Sequence, residues 1–259
     1  MEKEFIENGY VIGDIEDLQA FQWISRRVFQ ITTEFLSIQT KLSEETFFNN
    51  IHEYIQLDKL NSLRLAIINT LTTDMEFKEK YYALAKTTID TLVGNELAIQ
   101  KGLGLNIQLP HDDSALLPLH SDIWGSECSP FEVVLWLPLV DCYRSKSICI
   151  LPPEKDRYWR NKLHEFQSME DMYQVVKNDL VWVDIQRGQF LLFTHTILHG
   201  NRINKENSAR WSVNIRFKSL FSPYAGKGFG EYFQPLRIKP VTKIAMQFQF
   251  PRVDISHKG

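Results

Sequence analysis

In LLPLHSDIWGSE, residues 116–127, His120 and Asp122 are separated by one residue and flanked by aliphatic side chains. Residues i and i+2 of an extended chain project from the same face, so this imidazole and carboxylate can converge on one point without any special backbone. A second imidazole from elsewhere would complete a face of two histidines and one carboxylate, leaving three positions of an octahedral iron open. Two of those positions can chelate a 2-oxo acid, and the third can take dioxygen.

The same spacing recurs in His111 and Asp113, but that pair sits between prolines in the acidic, turn-like LPHDDSALLP. An H-x-D tripeptide is a weak pattern alone and usually marks a solvated turn. His120 and Asp122 have the better context, with Trp124 two positions on as the wall of a pocket. FTHTILHGN offers two partners, His195 and His199. Their spacing of four would suit a helical metal pair, yet no H-E-x-x-H glutamate accompanies them and the preceding GQFLLF is strand-like. His199, followed by Gly200 and Asn201, reads as a strand end facing a cavity. His195 reads as a core histidine or one lying behind a ligand.

RWSVNIRF, residues 210–217, alternates cleanly. Arg210, Ser212, Asn214 and Arg216 fall on one face, and Trp211, Val213, Ile215 and Phe217 on the other. The polar set is either a wet outer face or the lining of a cavity for an acidic ligand, which an arginine fork and a nearby hydroxyl can hold. The strand alone leaves both open.

The elements that must position these residues follow from hydrophobic period. Between residues 14 and about 100 the period is helical: Asp14 is a candidate N-cap, with Leu18, Phe21, Ile24, Val28, Ile31 and Phe35 along one face. Leu60, Leu63, Ile67 and Leu71 mark a second helix, and Phe77, Tyr81, Leu84, Ile89 and Leu92 a third that ends near Gly94. After Gly104 short apolar or alternating runs take over: LNIQLP, FEVVLWLPLVD, SICILPP, LVWVDI, QFLLFTHT and RWSVNIRFK. These predict strands of an all-β barrel or sandwich, interrupted at 154–178 by one or two surface helices. No repeat or low-complexity linker divides the chain.

At 259 residues such a chain buries about three quarters of its surface. The net charge of −3 comes from 29 basic and 32 acidic residues spread along the chain, which leaves no footprint for nucleic acid and points to a small-molecule partner. No apolar run is long enough for a membrane span, and the acidic start MEKEFIENGY carries no signal-peptide core, so a cytoplasmic location is expected. Cys128, Cys142 and Cys149 form no even framework and no C-x-x-C pair; reduced, buried thiols are expected.

Taken together, HSD at 120–122, HGN at 199–201, Arg210 eleven residues after His199, and Ser212 two later resemble the phytanoyl-CoA-hydroxylase-like Fe(II)/2-oxoglutarate-dependent dioxygenases. FIENGYVIGDIEDLQAF is similar to that family's opening strand and first helix, FEVVLWLPLVD to its strand after H-x-D, and QRGQFLLF to its turn and strand before the distal histidine. The stretch from His120 to Pro153 looks most like a subgroup from bacterial surface-carbohydrate biosynthesis clusters. The resemblance implies a mainly β chain with N-terminal helices, a double-stranded β-helix (jelly-roll, cupin-like) core. It implies one oxygenase domain over 1–259, with 1–100 a mainly helical support layer and 101–259 the core. By motif match His120, Asp122 and His199 would bind Fe(II), Arg210 and Ser212 would hold the distal carboxylate of 2-oxoglutarate, and O2 would be the second cosubstrate. Asn106 and Gln108, which share a face, are expected near the cosubstrate or substrate.

Two departures stand out. The family's G-D before the distal strand is Gly188-Gln189, and the rim sequence SKSICILPPEK differs, so a fatty acyl-CoA substrate does not carry over. A sugar or sugar-nucleotide is expected, with Trp124 and Arg216 as substrate contacts and Trp136 and Lys146 behind them. For these last two the competing readings are a core tryptophan and a solvated lysine. His52, His164 and His257 read as surface residues, and 222–233 as a flap or a loop crossing the barrel mouth. The alternatives are an oxygenase of an amino acid or other small metabolite, and a non-catalytic jelly-roll carbohydrate-binding protein.

Overall fold

A computed structural model describes residues 1–124 and 128–249. The N-terminal part runs α1 (Glu2–Asn8), β1 (Tyr10–Asp14), α2 (Leu18–Leu36), α3 (Glu44–Asn49), α4 (Leu57–Thr73), α5 (Met75–Ala83) and α6 (Lys86–Leu92). Then come β2 (Leu97–Gln100), β3 (Gly104–Gln108), β4 (Glu132–Pro138), β5 (Cys149–Ile150), α7 (Pro153–Arg160), α8 (Met169–Val176) and β6 (Val181–Trp182). The chain continues with β7 (Gln189–Thr194), β8 (His199–Gly200), β9 (Arg210–Ser219), β10 (Phe233–Arg237) and α9 (Pro240–Gln247).

The helices form where the apolar period predicts, with local corrections. Asp14 closes β1, and the cap of α2 is Asp17, whose carboxylate accepts the Ala20 N–H at 2.9 Å. Phe21, Ile24, Val28 and Ile31 are buried, whereas Leu18, in the first turn, is 60% exposed. The third apolar run is two helices, because the backbone leaves helical geometry at Ala85 and restarts at Lys86. Helices α1 and α3 and strands β2, β8 and β10 are too short to show a period of their own.

The strands form two antiparallel sheets, a double-stranded β-helix with the N-terminal helices on its outer face. The larger sheet runs β1-β7-β4-β9-β2-β10, and β3 lies beside β2 along the same edge of β9; the smaller runs β6-β5-β8. Strand β9 organises the molecule. Trp211, Val213, Ile215 and Phe217 are fully buried among the apolar side chains of the main core. The Trp211 indole donates to the Phe48 carbonyl of α3, and the Tyr81 hydroxyl lies 2.9 Å from the carbonyl oxygens of Leu135 and Val213, which docks α5 on the sheet.

The opposite face of β9 carries Arg210, Ser212, Asn214, Arg216 and Lys218. Register places Gln108 against Arg210, Asn106 against Ser212, and Glu132 against Lys218, so side chains of three strands share one interior face. Arg210, Ser212 and Lys218 are buried, so this face is a lining and not a wet exterior. Gly104 lies opposite Asn214, where a Cβ would stand 2.2 Å from the Asn214 side-chain oxygen.

Candidate active site

His120 and His199 are directly opposed in an isolated antiparallel bridge and exchange both backbone hydrogen bonds at 2.9 Å. Opposed residues of such a pair point the same way, and the two rings lie 4.5 Å apart. The residue that permits this is Gly200, because a Cβ there would come within 2.7 Å of the Leu117 carbonyl. Asn201 completes the clamp: its side chain accepts from the Leu117 N–H at 2.7 Å and donates to the Ala115 carbonyl at 3.1 Å. HGN thus holds the approach to HSD.

Each ring is oriented from behind. The Nδ1–H of His120 donates to the Pro118 carbonyl at 2.8 Å, and that of His199 to the Ile197 carbonyl at 2.9 Å, so both Nε2 lone pairs are turned inward. They face the same oxygen of Asp122: Oδ1 lies 3.3 Å from His120 Nε2 and 3.9 Å from His199 Nε2. Burial opposes ionisation of Asp122, but the His120 contact and the charges of His199 and Arg216 outweigh it and hold the carboxyl far below the usual range. Burial and the neighbouring His120 push His199 down to about 4, so it is neutral at physiological pH. One carboxylate and two imidazole nitrogens within 4.8 Å of one another form a donor set suited to a divalent first-row metal.

On the same interior face lies a buried cation. The Arg210 side chain is 1% exposed; Nη1 donates to the Ser147 carbonyl and Nη2 to Asn106 Oδ1, both at 2.8 Å. Among the described residues no carboxylate comes within 4 Å of it, and burial depresses its pKa to about 10. Arg210 Nε, Gln108 Oε1, Ser147 Oγ and Ser212 Oγ are all buried without a hydrogen-bond partner. A desolvated guanidinium with unmet donors and hydroxyls in its neighbourhood is a receptor for an anion.

The remaining expected residues fall as follows. Asn106 is engaged in holding Arg210, with its amide also reaching the Ala115 carbonyl, and Gln108 donates to the Arg202 carbonyl at 2.5 Å. Trp124 packs, half-buried, on the apolar cluster of Leu119, Leu151, Met172 and Leu198. Trp136 belongs to the main core. Lys146 is not solvated: it is 1% exposed, and its ammonium donates to Asn49 and Ser208 at 2.6 and 2.8 Å, tying α3 to the loop before β9. His111 and Asp113 are exposed, with His111 at a φ of 56°, and are apart from the cluster. His164 is exposed, whereas His52 is half-buried in a short turn; His257 lies outside the described residues. All three cysteines are buried thiols outside any disulfide.

Four residues near the site escaped the motif reading: Cys128, Ser129, Glu132 and Lys227. Glu132 carried a signal, since a carboxylate opening the apolar run EVVLWLPL must find a partner if buried. His195 is fully buried, donates from Nε2 to the Ser129 carbonyl at 2.8 Å, and lies behind Asp122, with Nδ1 3.8 Å from Oδ2. Lys227 brings the 222–233 segment to the site, its ammonium 3.0 Å from Cys128 Sγ.

No protein-family model and no curated protein matches the chain. Solved structures do. A non-haem monooxygenase, ThoJ in complex with Ni, aligns over 92% of this chain and 84% of its own, with a TM-score of 0.59 at 14% identity. AviO1 from Streptomyces viridochromogenes Tue57 aligns over 86% and 96%, with a TM-score of 0.51 at 14% identity. EctD from S. alaskensis with bound Fe aligns over 86% and 77%, with a TM-score of 0.50 at 13% identity. Identity this low speaks for architecture: the chain shares the double-stranded β-helix of these proteins.

Proposed function

We propose that this protein is a non-haem Fe(II)/2-oxoglutarate-dependent oxygenase acting on a small organic molecule. The observation that carries the reading is the coexistence, on one barrel interior, of the His120–Asp122–His199 donor set and the uncompensated Arg210 with its orphaned polar neighbours. A binding module has no need for both.

The donor set fits the ion. Two imidazoles that turn their Nε2 atoms inward and one ionised carboxylate can bind Fe(II) and leave room for a chelating 2-oxo acid. When bound, Fe(II) with 2-oxoglutarate and O2 supplies oxidative decarboxylation to succinate and CO2, coupled to oxidation of a substrate C–H bond. The protein's own part is geometric. Pro118 and Ile197 carbonyls fix the histidine tautomers, Asn201 and Gly200 fix the approach of the H-x-D segment, and Arg210, held by Ser147 and Asn106, receives the distal carboxylate beside Ser212.

For the substrate, the HSD-to-LPP stretch extends the proposal to a sugar or sugar-nucleotide in surface-carbohydrate biosynthesis, as in the phytanoyl-CoA-hydroxylase-like subgroup it resembles. A hydroxylation in the cytoplasm follows from that reading. Among the described residues no helix is long and apolar enough to cross a membrane.

The test is an anaerobic titration of folded protein with Fe(II) and 2-oxoglutarate. A weak visible metal-to-ligand charge-transfer band is expected in wild type and not in His199→Ala. Failure of wild type to bind both metal and cosubstrate overturns the proposal in favour of a carbohydrate-binding jelly roll.

A further inference from the structure

Arg216 belongs to a largely buried group of charged and polar side chains behind the metal ligands. Its Nη2 donates to Asp122 Oδ2 at 2.8 Å, and its Nη1 lies 2.9 Å from Cys128 Sγ and 3.3 Å from Glu132 Oε2. The Glu132 side chain is wholly buried, and its other oxygen accepts the Ser129 N–H at 2.9 Å. The Ser129 carbonyl takes the Nε2–H of His195, whose Nδ1 stands 3.8 Å from Asp122 Oδ2, beyond hydrogen-bond reach. Arg216 therefore engages the one aspartate oxygen that the two ligand histidines do not face. Two carboxylates already compensate the guanidinium, whose side chain is 13% exposed, so Arg216 is not placed as a receptor for an anionic substrate.

We propose that Arg216 is a positioning residue that makes Asp122 a ligand through Oδ1 alone, by engaging Oδ2 in a charge-assisted hydrogen bond. The proposal rests on the metal-centre reading above. Its chemical consequence is the count of free positions: a carboxylate bound through both oxygens would occupy one of the three that a chelating 2-oxo acid and O2 require. Glu132 acts through Arg216. It lies two residues along β4 from Val134, the register partner of Arg216, and so diagonally across the same face. From there it fixes the fork in the orientation that reaches Asp122.

Co(II) is the probe, because its affinity is measurable by calorimetry and its visible bands report the ligand field without turnover. Wild type, Arg216→Met, Arg216→Lys and the double variant Arg216→Met/Glu132→Gln are compared, with thermal melts as the check of folding. The expectation is a loss of about 10- to 100-fold in Co(II) affinity for Arg216→Met, with altered visible bands. Partial recovery of both is expected in Arg216→Lys, which keeps the charge without the fork. If Arg216→Met does not fold, the double variant, which removes the buried Glu132 charge with its partner, is held to the same criteria. Wild-type bands with equal or tighter Co(II) binding in the folded variant overturn the positioning role and leave the metal centre standing. Wild type that takes up no Co(II) at all overturns the metal centre, and the positioning role with it.

Discussion

Arg210 and Arg216 lie six residues apart on one face of β9, the first buried and the second largely so, and their surroundings are opposite. Arg216 is flanked by Asp122 and Glu132, and the Asp122 charge, with Tyr232 and Cys128, outweighs its burial and raises its pKa; Arg210 has a carbonyl and an amide for partners, and burial lowers its pKa. A buried cation matched by carboxylates is part of the framework, whereas one without them holds free energy that an incoming anion can release. Equivalent positions on a strand therefore say nothing about role until the neighbours are known.

That contrast can be broken by experiment. The largest effect is expected from the proposed ligands near Arg216: His120→Ala, Asp122→Ala or His199→Ala should abolish Fe(II)-dependent turnover and the charge-transfer band. Retention of either in His199→Ala would point to His195 as the distal ligand. Next, Arg210→Met should weaken 2-oxoglutarate binding by roughly 30- to 1,000-fold, the equivalent of about 2–4 kcal/mol. Metal binding without cosubstrate should hardly change, and equal losses of both would remove the distinction between the two arginines.

Stability should separate them in the other direction. Arg216→Met strands two carboxylates and is expected to cost about 3–5 kcal/mol in denaturant unfolding, while Arg210→Met, which removes an unmatched charge, should be near neutral or stabilising. The sign extends to pH. A base whose folded pKa is depressed to about 10 burdens the fold at every pH below that, and the burden is relieved as pH rises above it toward the ordinary arginine range. The stability gap between Arg210→Met and wild type should thus narrow as pH is raised above about 10. A smaller effect is expected from Gly200→Ala: its Cβ must displace the Leu117 carbonyl, costing about 1–3 kcal/mol and weakening metal binding through His120. Last, His111→Ala and Asp113→Ala should leave metal binding and turnover unchanged; loss confined to these would mean the other H-x-D holds the metal.

Much of this was legible in the chain. The period change after Gly104 separates helices from strands because a side-chain repeat of 3.6 or 2 survives any tertiary context. Alternation in RWSVNIRF gave the two faces of β9, and the H-x-D spacing gave two donors on one side. The short elements β8 and α3 were not legible, since they hold by hydrogen bonds to distant segments and carry no period.

The sequence by itself determined which residues share a face, since that depends only on local backbone geometry. It left open which way the face of β9 turns and why Arg210 and Arg216 differ, and it chose His199 over His195 on strand context alone. Those answers came from tertiary structure: the bridge of His120 to His199, the placement of Glu132 and Asp122 around one arginine, and, among the described residues, the withholding of any carboxylate from the other. Coulomb and desolvation energies depend on distance and burial in space, and separation along the chain encodes neither.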